Sequence, residues 1–336
     1  MELLVLSSGA VRSVLSYPRC AEAMRDALVA RARGEVFQPL RSILKPEGAS
    51  GMMGLMPSYQ PGNGYGLKAI NVTPGNPAIG LDTHQGIVLV SDEQTGQPLA
   101  ILNASAVTEI RTAAVSAVAT EQLAAAGADV LAIVGTGVQA RSHLMAIAAI
   151  SPLAEVRIAG SAPAKAAKFA ADVAPAALAE VGAADVAVSA CDSVRAAVDG
   201  AQIVVTATSS ATPVLEQAWL APGTHINAVG ACLPHTRELD TATVAAAGLF
   251  ADSRESVLAE SGDYLLAAAD GAIGPDHIRA ELGELLARTA PDHGRRSTTE
   301  ITIFESLGLA IEDLAAAMAA YQVARESGAG NWIEFD

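Results

Sequence analysis

The chain has 336 residues, enough for two domains, each with its own core. Its 21 basic and 36 acidic residues leave a formal net charge of −15, which argues against nucleic acid or an anionic membrane as a partner. Hydrophobic residues make up 51% and aromatics only 4%, a balance suited to tight helix-on-sheet packing in an α/β protein.

The three cysteines, Cys20, Cys191 and Cys232, are far apart and form no CxxC pair, which fits a reducing cytosol. The six histidines lack ligand spacing, so no metal site is readable. The amino terminus has no basic n-region or A-x-A site, and no uninterrupted apolar stretch is long enough to span a bilayer. These features predict a soluble, cytoplasmic protein.

Residues 17 to 33 read as an amphipathic helix, with Cys20, Met24, Leu28 and Val29 on one side and Pro18 in the first turn. The stretch 38–44 looks extended, and Met52, Met53 and Met56 follow it as adaptable core or as the apolar wall of a pocket. Residues 64 to 72 alternate as a strand in which Lys68 shares a face with Ile70 and Val72. Such a lysine is either paired or tuned for chemistry, or it snorkels to water from an edge strand. Residues 87–90 and 99–102 flank a glycine-containing hairpin turn. A long small-residue helix covers 104 to 126 and sets Arg111 in a stripe with Thr108, Val115 and Val118. A guanidinium there wants a carboxylate or phosphate, or sits in a structural ion pair. The helix ends at Gly127, which puts a domain boundary near residues 105 to 128.

The stretch that organises the chain comes next. Val130 to Val134 is an apolar run of buried-strand character, followed by Gly135-Thr136-Gly137-Val138-Gln139-Ala140 and a helical pattern to Ile150. Strand, glycine turn and helix in that order make the dinucleotide fingerprint G-x-G-x-x-G/A. Gly135 serves the tight turn, Gly137 lets the backbone approach a pyrophosphate, and the helix start binds phosphate. Further strands are predicted at 156–159, 186–188, 203–208, 225–229 and 249–251, with helices at 162–173 and 192–198, the rhythm of a parallel sheet. The segment Thr302 to Arg325 reads as a closing helix. At the end of the second strand, Gly160 and Ser161 stand where an acid would read a ribose 2′-hydroxyl, with Lys165 one turn later. The missing acid favours NADP(H) while still admitting NAD(H).

Taken together, the chain resembles the ornithine cyclodeaminase/mu-crystallin family over nearly its whole length. The matches are GLKAINVTPGNPAIGLDTHQGIVLVSDEQTGQPLA (66–100), VTEIRTAAVSAVAT (107–120), IVGTGVQARSHL (133–144), NAVGACLPHTRELD (227–240) and ITIFESLGLAIEDLAAA (301–317). The resemblance implies hydride transfer between a nicotinamide and a nitrogen-bearing carbon of a small amino or imino acid. It implies that Arg41 and Arg111 hold the substrate carboxylate, with Lys68 beside the reacting carbon and Arg111 also near the cofactor. Thr83 would face the nicotinamide and substrate, Val138 and Gln139 the pyrophosphate, and Thr206 the ribose. Asn227, Val229, Gly230, Ser306 and Leu307 would flank the nicotinamide.

Cys232 stands where the family's cyclodeaminases carry an aspartate that handles protons, and a thiol is a poor substitute at neutral pH. The expected reaction is therefore reduction of a cyclic imino acid, ahead of ornithine cyclodeamination and of oxidative deamination of a small amino acid. A dinucleotide-binding protein without turnover is the contrasting class. The expected architecture is a Rossmann-type doubly wound parallel sheet, residues 119–305, inserted in an α+β substrate and dimerisation domain of 1–118 plus 306–336. A homodimer is the implied assembly.

Overall fold

The computed structural model describes residues 2–288 and 294–335. The chain divides into two units, Met1–Arg111 with Gly308–Asp336, and Thr112–Leu307. The first division falls inside the helix Ala104–Leu123, where the sequence reading cut at residue 118.

The first unit is built on a seven-stranded sheet in the order Asn331–Glu334, Glu2–Leu6, Pro98–Asn103, His84–Ser91, Gly64–Val72, Met52–Gln60, Ser42–Leu44. Neighbours run antiparallel except Glu2–Leu6 and Pro98–Asn103, which are parallel. Alternation along Gly64–Val72 is read directly in burial: Gly64, Gly66, Lys68 and Ile70 are buried, while Tyr65 and Asn71 are exposed. The helices Ser8–Val14, Tyr17–Ala32 and Ala310–Ser327 pack together, and Ala310–Ser327 also packs on the strands that bear Met56 and Lys68.

The second unit holds an eight-stranded sheet in the order Ile278–Glu281, Gly248–Ala251, Thr302–Glu305, His225–Ala228, Ile203–Thr206, Val130–Val134, Glu155–Ala159, Ala187–Ala190. Every neighbouring pair is parallel. Four of these strands, Ile203–Thr206, His225–Ala228, Gly248–Ala251 and Thr302–Glu305, are buried at every position, as strands covered on both faces must be. The order reverses direction between Val130–Val134 and Ile203–Thr206. This is the Rossmann-type doubly wound arrangement, and the reversal is its ligand-binding switch point.

One expectation fails. Thr302 to Arg325 is not one helix: Thr302–Glu305 is a central strand, and the helix begins only at Ala310. The β-branched and aromatic run Thr302-Ile303-Phe304 pairs on both edges, and Gly308, at φ +82°, separates it from the helix. The segment predicted as helix 162–173 runs to Glu180 through a π-helical turn at Phe169–Val173. Strands Glu2–Leu6, Ile278–Glu281 and Asn331–Glu334 are additional to those expected. Among the described residues, no helix is long and apolar enough to cross a membrane.

Candidate active site

Three cations of the first unit meet at the start of the helix Ala310–Ser327. Lys68 points from the inner face of its strand and is 3% exposed. Its Nζ lies 2.7 Å from Asp313 Oδ2. Arg111 donates Nε to the other oxygen, Asp313 Oδ1, at 3.2 Å, and Nη1 to Glu312 Oε2 at 2.9 Å. The same Glu312 oxygen accepts the Leu309 N–H at 3.2 Å, which caps the helix. Arg41 donates Nη2 to the Gly308 carbonyl at 3.0 Å. A Cβ on Gly308 would sit 2.4 Å from Arg111 Nη1, so only glycine lets the chain pass against the guanidinium in this left-handed conformation.

A buried, unpaired ammonium would cost several kcal/mol, and Asp313 offsets that cost. The balance is partial. Burial lowers the Lys68 pKa to about 8, Asp313 opposes the shift, and Arg111 and Arg41 add to it. At neutral pH the lysine is therefore mostly protonated, yet ready to release its proton. Thr83 is half-buried, and its carbonyl accepts the Thr73 N–H at 2.9 Å. Next to it, partial burial and the Lys68 and Arg111 cations push the His84 imidazole below its ordinary range.

Nothing in the sequence singles out Asp313, Glu312 or His84. Two acids in a first helical turn read as ordinary dipole partners, and nothing local marks them as buried.

The second unit presents the glycine turn at the switch point. Gly135 is buried at φ +137°, and a Cβ there would lie 2.5 Å from the Ala207 carbonyl. Gly137 caps the helix Val138–Ile150 with no side-chain bond, so the first-turn N–H groups meet no capping side chain. Space opens where its Cβ would be. Ala140 is wholly buried, Gln139 half-buried, and Val138 is 57% exposed beside the turn. Past the strand Glu155–Ala159, Gly160 is half-buried and Ser161 exposed, and Lys165 Nζ lies 3.2 Å from Ser161 Oγ.

Thr206, Asn227, Val229, Ser306 and Leu307 are all buried at or just past the carboxyl ends of three adjacent strands, with half-buried Gly230 beside them. Asn227 donates Nδ2 to Thr120 Oγ1 at 2.9 Å, which makes its side chain a strut. Among the described residues, the buried Ser306 Oγ finds no hydrogen-bond partner. Cys232 is half-buried and its thiol donates to the Val229 carbonyl at 3.2 Å. The bare helix start, the glycine cradle and the orphaned Ser306 hydroxyl fit a dinucleotide at this edge.

Beneath these loops lie carboxyl groups that no pattern in the sequence announces. Asp252, Glu238 and Asp263 are wholly buried, and Glu305 nearly so. Asp252 accepts the Ser253 and Leu307 N–H groups at 2.7 Å each. Burial raises Asp263 to about 7, and burial with the nearby Asp263 raises Glu305 well above the carboxylate range.

Comparison with known proteins gives one answer. The model of the ornithine cyclodeaminase/mu-crystallin family matches residues 1–328. Mouse ketimine reductase mu-crystallin is 40% identical over 289 residues, 86% of this chain and 85% of its own. The structure of Thermococcus litoralis Δ1-pyrroline-2-carboxylate reductase in complex with NADH and L-proline is 35% identical with a TM-score of 0.91, covering 98% of this chain and 99% of its own. An archaeal alanine dehydrogenase dimer with bound NAD is 32% identical with a TM-score of 0.89, and both chains are covered in full. A family model over residues 1–328 and relatives that cover most or all of both units place the chain in the ornithine cyclodeaminase/mu-crystallin family.

Proposed function

We propose that this protein reduces a small cyclic imino acid, of the Δ1-pyrroline-2-carboxylate or Δ1-piperideine-2-carboxylate type, to the corresponding amino acid. The observation that carries the reading is Lys68, buried yet protonated beside Asp313 and within the same charged cluster as Arg111 and Arg41. A bound reduced nicotinamide dinucleotide supplies the hydride when present, held by the turn Gly135–Gly137, the first turn through Val138 and Gln139, and Ser306. Arg41 and Arg111 offer planar, permanently charged donors for the carboxylate on the carbon that is reduced. Lys68 keeps a proton on the imine nitrogen, because an iminium accepts hydride far more readily than a neutral imine. Thr83, one residue before His84, is assigned to the same centre. The balance is closed: the C=N π bond is lost, carbon gains hydride and nitrogen keeps the proton.

Ornithine cyclodeamination needs a second proton-handling group for ammonia loss. Cys232, its thiol turned to a backbone carbonyl, is a poor one. The same residues suit the reverse direction on an open-chain amino acid, the reaction in the archaeal relative's name. Initial rates with Δ1-pyrroline-2-carboxylate plus NADPH or NADH, alongside L-ornithine or L-alanine plus the oxidised cofactors, separate these readings. We expect imine reduction to dominate. Proline formation from ornithine without imine reduction would sink the proposal. Dinucleotide binding with no turnover on any substrate would favour a binding protein.

The reading also prefers NADP(H). Ser161 and Lys165 replace an acid at the ribose end, and both are exposed for a 2′-phosphate. Dinucleotide titration by fluorescence decides it.

A homodimer completes the proposal. On the face of the first sheet opposite Lys68, Val5, Ile101, Leu89 and Leu67 form a cross-strand row of half-buried apolar side chains. A second copy of the chain would cover them. A monomer at micromolar concentration would count against this assembly.

A further inference from the structure

Glu238 is wholly buried in the second unit, and the chemistry proposed above does not use it. Its Oε1 accepts the Thr208 N–H at 2.6 Å and its Oε2 the Gly230 N–H at 2.7 Å. Thr208 lies two residues past the strand Ile203–Thr206, and Gly230 two past the adjacent strand His225–Ala228. One carboxylate therefore ties together the carboxyl ends of two neighbouring parallel strands. The fit is close: a Cβ on Gly230 would meet the Thr208 carbonyl at 2.1 Å and Glu238 Cδ at 2.6 Å.

The residue is itself anchored. Asp263 Oδ1 accepts the N–H groups of Glu238 and Leu239, both at 2.8 Å. The loop between Gly230 and Glu238, which carries Cys232, is pinned a second time where the Ala231 carbonyl accepts the Gly262 N–H at 3.1 Å. Burial and the neighbouring Asp263 push the Glu305 carboxyl well above its ordinary range.

In an open parallel sheet the ligand meets the loops at these carboxyl ends, on either side of the switch point. We propose that Glu238 is a positioning residue for the dinucleotide, fixing the backbone after both strands through its paired N–H bonds. The inference rests on the dinucleotide reading above. Burial raises the Glu238 carboxyl above its ordinary range and the Thr208 and Gly230 N–H bonds oppose that shift, one donor on each oxygen, an arrangement that only the ionised form satisfies on both sides. A glutamine keeps one acceptor and turns an NH2 towards the other N–H, donor against donor, so one of the two loops is released.

The test is Glu238→Gln in the full chain, with Kd for NADPH and NADH, kcat and both KM values measured beside the melting temperature. Leu282→Ala serves as a control for lost stability alone, since Leu282 is buried in the helix Leu282–Leu286 and is no partner of Glu238. The expected result is a dinucleotide Kd raised roughly tenfold or more, the loss of one charged hydrogen bond. The imino-acid KM should stay within about twofold, and Leu282→Ala should bind dinucleotide within twofold of the parent despite a comparable loss of melting temperature. Should Glu238→Gln not fold, Glu238→Asp keeps the charge, withdraws it by one methylene, and carries the same measurement. Unchanged dinucleotide affinity in the variant overturns the inference alone, as does a loss that Leu282→Ala reproduces at equal melting temperature. A parent protein that binds neither dinucleotide overturns the dinucleotide reading, and the inference with it.

Discussion

The two units bury charge for different ends. In the first, Lys68 and Arg111 are closed off from water but meet the carboxylates of Glu312 and Asp313. In the second, Asp252, Glu238 and Asp263 meet backbone N–H groups. An ion pair can exchange one carboxylate for another, which suits a place where an acid substrate comes and goes. A carboxylate whose two oxygens take backbone N–H groups from two loops, as in Glu238, holds those loops in one shape. Buried charge in the first unit is poised for chemistry, and buried carboxyl groups in the second hold geometry.

Mutations that remove each kind of charge should have different signatures. The largest effect is expected from Lys68→Met: kcat for imine reduction should fall about a thousandfold, within the range of a lost proton donor. Dinucleotide Kd should change less than about twofold, since the lysine is not among the residues proposed to hold the dinucleotide. Surviving activity would remove Lys68 from the chemistry. Next comes Arg111→Leu, which takes the cation from Glu312 and leaves Asp313 with Lys68 alone, and should cost about 3–5 kcal/mol of stability as well as weakening the imino acid. Calorimetry and KM together read both losses, and an unchanged melting temperature would show that the pair network is not what holds the helix start.

A smaller effect separates the second unit. Burial raises Asp263 to about 7 and Glu305 well above its ordinary value, so the folded chain keeps protons that the unfolded chain releases near pH 4. Their contribution to stability is complete below that unfolded value and is lost as pH rises through the folded values. Melting temperature should therefore decline between about pH 4 and 7, and Glu305→Gln should flatten the decline. A slope unchanged by that substitution would assign the effect elsewhere. The smallest change is expected from Ser161→Ala with Lys165→Ala: a few-fold loss of NADPH affinity with NADH unaffected, as for an exposed charge contact. Equal losses for both dinucleotides would show that these residues do not read the phosphate.

Much of this division was legible in the chain itself. The strands at Val130–Val134 and Gly64–Val72 are found where alternation and apolar runs put them, and the glycine turn sits at the sheet's switch point. Periodicity also turned Lys68 inward, although it left open whether the lysine was paired. What was not legible depends on partners distant in sequence. Asp313 lies 245 positions from Lys68, and its two oxygens serve two cations. Glu238 and Asp263 look like surface acids of a polar loop and a helix start, since burial of an acid leaves no period. Thr302–Glu305 was absorbed into the following helix because the apolar run continues past Gly308, and only pairing on both edges reveals a strand.

The central claim, that Lys68 supplies the proton and Asp313 sets its strength, is tested most directly by the pH dependence of kcat/KM in the parent and in Asp313→Asn. The ammonium form is needed, so imine reduction should fall as pH rises through the Lys68 pKa of about 8. Titration of the imine nitrogen also shapes the profile, but it is common to both proteins and cancels in the comparison. Asp313 holds the proton on Lys68, so its loss should move the alkaline limb downward by roughly one unit or more. A limb that stays in place in Asp313→Asn would contradict the claim.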